Sequence, residues 1–193
     1  MYLANATRPD IAFSVNLLAR YSSSPTRRHW NGVKHILRYL KGTSDMGLFY
    51  TNKGSTDLVG YADAGYLSDP HKVRSQTDYL FTCGGTAISW RSTKQSIVAT
   101  SPNHAEIIAI HEASRECVWL RSVIHFIRER CGLKCDTKIP TKNGDIDVQQ
   151  IRSSDNPADL FTKSLPTSTL EKMIFKIGMR RLRHLNLSLR QGE

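Results

Sequence analysis

One acid interrupts an apolar run, Leu58, Val59, Gly60, Tyr61, Ala62, Asp63, Ala64, Gly65. A run of that composition, bounded by Asp57 and Gly65, predicts a strand buried on both faces. An ionised carboxylate is costly there unless a cation, a hydrogen-bond network or a raised pKa offsets its burial. Alternatively, Asp63 closes the strand as a turn residue. Two further acids, Glu106 and Asp159, fall at the starts of predicted helices. A carboxylate on a central strand with two more at helix starts is a donor set for metal-dependent phosphodiester cleavage. Two divalent cations held roughly 4 Å apart activate water and stabilise the leaving oxygen, and such hard cations demand oxygen ligands from several carboxylates. Each helix acid also has a structural reading. Glu106 stands three residues after Asn103, a capping-box spacing, and Asp159 stands three after Asn156, where it favours the helix dipole.

The elements that must position these acids follow from periodicity. Thr7, Arg8, Pro9, Asp10 opens a helix carrying Ile11, Val15 and Leu18, which ends at Ser22 to Pro25. A second helix runs from about Thr26 to Gly42, with Trp30, Val33, Leu37 and Leu40 as its apolar stripe. Strand-like segments follow at Leu48–Thr51, Leu58–Ala64, Asp78–Cys83 and Thr86–Arg91, the last two joined through Gly84 and Gly85. The change of period places a domain boundary near residue 45. A long helical stretch extends from Pro102 to Gly132, with a break near Cys117. An irregular segment to Pro140 and an Asn143, Gly144 turn precede a strand at Ile146–Ile151. Asn156 and Pro157 start the helix that carries Asp159, and a last helix spans Thr169 to Met179. The expected fold class is α/β (mixed α+β).

Charge is the strongest compositional signal: 27 Lys and Arg against 17 Asp and Glu, a net +10 over 193 residues. Residues 1–50 carry 7 basic and 2 acidic side chains, 51–141 carry 11 and 9, and 142–193 carry 9 and 6. Basic ends around a balanced middle fit a polyanion gripped by flanking elements; a solvated basic surface is the other reading. On the second helix, Arg27, Arg28, Lys34, His35, Arg38 and Lys41 either track a phosphate backbone or form an ordinary wet face. No apolar run approaches the roughly 18 residues of a membrane helix, and the N-terminus lacks the apolar core of a signal peptide. The expectation is an intracellular protein, cytoplasmic or nuclear and not secreted, with no membrane partner. Cys83, Cys117, Cys131 and Cys135 are too irregularly spaced for a zinc ribbon and read as reduced structural thiols.

Gly60, Tyr61, Ala62, Asp63, Ala64 with Arg74, Ser75 and Ile88, Ser89, Trp90 resembles the start of the ribonuclease H domain of copia-type retrotransposon polyproteins. Asn103, His104, Ala105, Glu106 and Asn156, Pro157, Ala158, Asp159, Leu160, Phe161, Thr162, Lys163 are similar to its second and last acidic motifs. Thr7, Arg8, Pro9, Asp10 and His35 through Thr43 are similar to the end of the reverse transcriptase that precedes it. The resemblance implies three regions: a helical reverse-transcriptase piece over 1–45, a ribonuclease H-like domain over 46–180, and a polar tail over 181–193. It implies cleavage of the RNA strand of an RNA:DNA hybrid with two Mg²⁺ ions. Asp63 would bridge both metals, and Glu106 and Asp159 would each bind one. Arg27, Arg28, Lys34, Arg38, Lys41 and Arg74 would contact the nucleic acid, read by shape and 2′-hydroxyls.

One block of that family pattern is missing. Its third acidic motif, an Asp followed by Asn on a strand, then a helix and a Lys, His pair, belongs between the long helix and Ile146. Here the chain passes from Pro140, Thr141 straight to Lys142, Asn143, Gly144. Asp136 lies before the missing strand and does not replace it. The resemblance therefore implies a mixed sheet lacking one central strand, with an exposed edge and an inactive centre. A non-catalytic nucleic-acid-binding remnant is the alternative expectation.

Overall fold

A computed structural model describes residues 1–51, 57–69, 74–132 and 146–183. The expected turn at Asn143, Gly144, the junction at 141/142, Cys135 and residues 184–193 of the tail lie outside the described residues. The architecture is mixed α/β. Helices α1 (Tyr2–Ala6), α2 (Ala12–Ala19) and α3 (Arg27–Gly42) come first, with a 3-10 turn at Pro9–Ile11. Strands β1 (Met46–Leu48), β2 (Leu58–Asp69), β3 (Arg74–Cys83) and β4 (Thr86–Lys94) follow. Next come α4 (Pro102–Arg130), a 3-10 turn at Ser153–Asp155, α5 (Asp159–Thr162), α6 (Thr167–Lys176) and β5 (Met179–Arg181).

β2, β3 and β4 form an antiparallel sheet in that order, while β1 pairs with β5 in a separate two-stranded ribbon. β3 is central and β2 is an edge. The pleat sends alternate side chains to opposite faces. Leu80 meets Ala12, Leu160, Phe161, Met173 and Ile177 on one face, whereas Tyr79 and Phe81 meet Leu120 on the other, under α4. Gly60 is required by this second packing, because a Cβ there would stand 2.5 Å from Phe81 Cε1.

The Arg8 guanidinium donates to both oxygens of Asp10, at 2.9 and 2.7 Å, and to the Thr43 carbonyl at 3.1 Å. The Tyr39 hydroxyl donates to Asp10 at 2.7 Å. The Thr7 to Asp10 block thus fastens the end of α3 to the start of the chain. Asn16 Nδ2 donates to the Ser92 carbonyl at 2.6 Å and Trp90 Nε1 to the Ala4 carbonyl at 2.7 Å, which ties α1 and α2 to β4.

Six sequence expectations need correction. Ile146–Ile151 forms no strand: β2 has no partner on its outer side among the described residues, and without a ladder an extended segment leaves its amides to solvent. The long helix α4 runs through Cys117 without a break. Its cap is Ser101, whose hydroxyl accepts from His104 N at 3.1 Å, so Asn103 lies inside the helix and Glu106 takes no part in capping. The last helix ends at Lys176, and Gly178 turns the chain into β5. Trp30 and Leu37 do not face the core: α3 docks on α2 through Gly32, where a Cβ would lie 2.9 Å from Leu18 Cδ2, and through His29 stacked on Tyr21. β3 begins at Arg74, four residues before the expected start at Asp78.

Candidate functional site

Asp63 stands in the middle of β2, directly opposite Asp78 on β3, which in turn pairs with Ser92 on β4. Directly opposed residues point to the same face. This row of Asp63, Asp78 and Ser92 lies under α5. Asn156 builds the approach of α5: its Nδ2 donates to the Ala62 carbonyl at 2.9 Å, and its Oδ1 accepts from Ala158 N at 3.0 Å. Asp159 is thereby brought against Asp63. Asp159 Oδ2 accepts from Ser153 Oγ at 2.8 Å and pairs with Lys163 Nζ at 2.6 Å.

The electrostatics follow from this crowding. Burial, then the neighbouring Asp159 carboxylate, push the Asp63 carboxyl up to about 6, while Thr162 and Lys163 pull the other way. Asp159 Oδ1 is buried and meets no donor among the described residues unless Asp63 carries a proton. Glu106 reaches Asp63 by a different route. It projects from α4, on the opposite face of the sheet. Burial raises its pKa first, and the negative field of Asp63 adds to that, while the Ala64 backbone on β2 draws it down.

The structure therefore brings Asp63, Asp159 and Glu106 into mutual electrostatic contact from three separate segments. It does not bring them into a single ligand set. Among the described residues, no three His, Cys, Asp or Glu side chains are placed to hold one metal ion. The reason is visible in the pleat: Asp63 and Asp159 lie on the α5 face and Glu106 comes from the α4 face. One oxygen of Asp159 is already neutralised by Lys163. As arranged, these residues do not fit a pair of divalent cations.

Asp78 is the residue that sequence reasoning missed. It is fully buried, and its carboxyl is held well above the ordinary range, chiefly by burial. Gln76 Nε2 donates to its Oδ1 at 3.2 Å, but Oδ2 has no partner among the described residues. The polar residues Ser75, Gln76 and Thr77 precede the strand expected from Asp78. All four are instead buried within β3, where Gln76 also donates to the Phe161 carbonyl at 3.1 Å and accepts from Arg20. The only local signal was an acid immediately before the apolar Tyr79, Leu80, Phe81.

Of the basic residues, Arg27, Lys34, Arg38 and Lys41 share one face of α3, within about 60° of each other at 100° per residue. Arg28 lies off that face, and Arg74 stands at the start of β3, opposite Asp69. An open cleft borders the acids, walled by the outer edge of β2, by Glu106, Ile107 and Ile110 of α4, and by Val148 and Ile151. No helix among the described residues is long and apolar enough to cross a membrane.

No protein-family model matches the chain, and no solved structure matches it. Among curated proteins it is 45% identical over 120 residues to a protein named secreted RxLR effector protein 161, from Plasmopara viticola, covering 62% of this chain and 84% of that one. It is 34% identical over 210 residues to the retrovirus-related Pol polyprotein from transposon TNT 1-94 of Nicotiana tabacum, covering 93% of this chain but 16% of that polyprotein. A third match, the Pol polyprotein from transposon RE2 of Arabidopsis thaliana, is 39% identical over 123 residues, 64% of this chain and 8% of that one. The chain thus spans a small part of the polyproteins it matches. Since 93% of 193 residues is about 180, the 210-residue tobacco match contains about 30 positions with no counterpart here.

Proposed function

The chain belongs to the homologous family that joins the Plasmopara viticola protein with the retrovirus-related Pol polyproteins of copia-type transposons, and from that premise we propose a transposon-derived, ribonuclease H-like remnant. Its role is nucleic-acid binding, and it does not hydrolyse the RNA strand of an RNA:DNA hybrid. The reading of its ancestry rests on one observation: Asp159 and Glu106, from two distant helices, converge on the strand acid Asp63. Carboxylates are expensive to gather, because each raises the pKa of its neighbours and all lose hydration. Proteins do so where a polycation or metal is to be held, and phosphodiester hydrolysis is the chemistry such sets serve.

The loss of activity is supported by what the cluster lacks. Two-metal hydrolysis needs several carboxylate oxygens converging on two cations held roughly 4 Å apart. Here Lys163 occupies one side of Asp159, Glu106 comes from the α4 face of the sheet, and Asp63 lies against Asp159. The absence of about 30 residues relative to the tobacco polyprotein supports the same reading, as a deletion near 141/142 that removed a further acid and its strand. The decisive experiment incubates the full chain with a labelled RNA:DNA hybrid and Mg²⁺. The expected result is hybrid binding without turnover, with binding retained in Asp63→Asn. Hydrolysis that Asp63→Asn abolishes would overturn the loss of function.

A further inference from the structure

The solvent face of α3 has a composition that the fold itself does not use. At 100° per residue, Arg27, Lys34, Arg38 and Lys41 lie on one strip, and Trp30 and Leu37 flank it on one side. Trp30 is 58% exposed and Leu37 56% exposed. The opposite face of the helix, with Gly32 and His29, is the one that packs on α2 and Tyr21.

Internal electrostatics do not account for the charges. Helix α3 contains no Asp or Glu anywhere between Arg27 and Gly42. None of the four basic residues forms an ion pair with a described residue, whereas Arg8, Lys94, Lys163, Lys176 and Arg181 all do. Arg27 also sits in the first turn, where the helix dipole disfavours a cation. A strip that finds no counter-charge among the described residues is complementary to an external polyanion.

The exposed indole narrows the polyanion. A base inside a duplex is already stacked on its neighbours and gives Trp30 no open face. An unpaired base does, and aromatic stacking next to phosphate-binding cations is how proteins hold single strands without sequence preference. We propose that the α3 face is a binding site for single-stranded nucleic acid. Trp30 stacks on one unpaired base, and Arg27, Lys34, Arg38 and Lys41 take the flanking phosphates along about 21 Å of helix. This rests on the nucleic-acid reading above but assigns it to a surface separate from the acid cluster.

The test is fluorescence anisotropy of the full chain with labelled oligonucleotides of about 12 nucleotides, as single-stranded RNA, single-stranded DNA and blunt duplex, over a salt series. Four phosphate contacts predict a slope of log K against log salt near −3 for single strands. Trp30→Ala is expected to weaken single-strand binding about 5- to 150-fold with that slope unchanged, and to leave duplex binding alone; Trp30→Phe restores most of the loss. Arg38→Gln lowers the slope by about 0.7 and weakens every oligonucleotide. Equal effects on RNA and DNA show that no 2′-hydroxyl is read, and a larger effect on RNA that one is; either supports the site. Unchanged single-strand binding by Trp30→Ala, or an unchanged slope in Arg38→Gln, overturns it, as does self-association lost in Trp30→Ala while oligonucleotide binding persists. Binding that ignores Trp30 removes this site alone. No binding to any nucleic acid removes the proposed function as well.

Discussion

The two sides of the three-stranded sheet are built differently. Under α2, α5 and α6 the packing is closed: Leu80, Ala87, Phe161 and Ile177 are completely buried, and even the polar Gln76 and Asp78 are sealed from water. Under α4 the covering is partial. Tyr79, Phe81 and Leu120 make a small core, but Ile107 on the cleft wall is 64% exposed, and beyond the edge of β2 the sheet opens into the cleft. The closed side carries the larger core; the open side is where the edge of β2 has no partner among the described residues. The candidate acids stand at the boundary, Asp63 and Asp159 on the closed face and Glu106 reaching round from the other. An acid cluster needs both walls to close on a ligand, and only one is complete.

The largest effect that would sharpen this contrast is a pair of truncations. Phe161→Ala on the closed side should cost about 3–5 kcal/mol, while Ile107→Ser on the open side should stay within about 0.5 kcal/mol, both read by urea denaturation. Comparable losses at the two sites would break the comparison. The seam where β5 meets the closed side is next. Gly178 has φ of +84°, and a Cβ there would lie 2.7 Å from Thr86 Cα. Gly178→Ala should therefore cost about 2 kcal/mol or more, against little change for Gly47→Ala, whose Cβ meets nothing within 4 Å.

A pH effect comes third. The folded chain holds the Asp63 proton up to about pH 6, whereas an unfolded aspartate releases it near 3.8. The folded state binds more protons between those values, so stability should fall as pH rises from about 4 to about 6, by on the order of 2 kcal/mol, and level off above. Buried Asp78 acts in the same direction. Denaturation at pH 4.5 and 7.5 should show the decline, and Asp63→Asn and Asp78→Asn should each flatten it. The smallest effect concerns the open edge: Ile107→Lys should leave the midpoint unchanged within about 0.5 kcal/mol while reducing light scattering on storage, because a charge beside a strand edge with no partner among the described residues discourages edge-to-edge association.

Local features were legible where local physics decides them. Gly84 and Gly85 adopt positive φ in the hairpin that the paired glycines predict. Thr26 caps α3, with His29 Nδ1 accepting from the Thr26 amide at 3.1 Å. The Ser101 cap was overlooked because Asn103 offered a competing capping-box spacing, and such spacings do not say which residue turns first. Trp30 and Leu37 read as core because they fall on an amphipathic stripe. Which side of a helix is covered depends on its neighbour, and α2 chose the Gly32 side. Ile146–Ile151 read as a strand from its alternation, but a strand exists only with a ladder to join.

From residue order alone came most helix and strand types, the cluster of basic residues on the second helix, and the identity of Asp63, Glu106 and Asp159 as candidates, since these depend on composition and on neighbours a few positions away. Tertiary structure alone decided that Asp78 is buried opposite Asp63, that Asn156 anchors Asp159 beside it, and that Glu106 arrives from the other face. Those outcomes are set by sheet register and by pleat parity across segments about 15 to 95 residues apart. A shift of one residue in the pairing of β2 with β3 would have sent the shifted strand's acid to the opposite face.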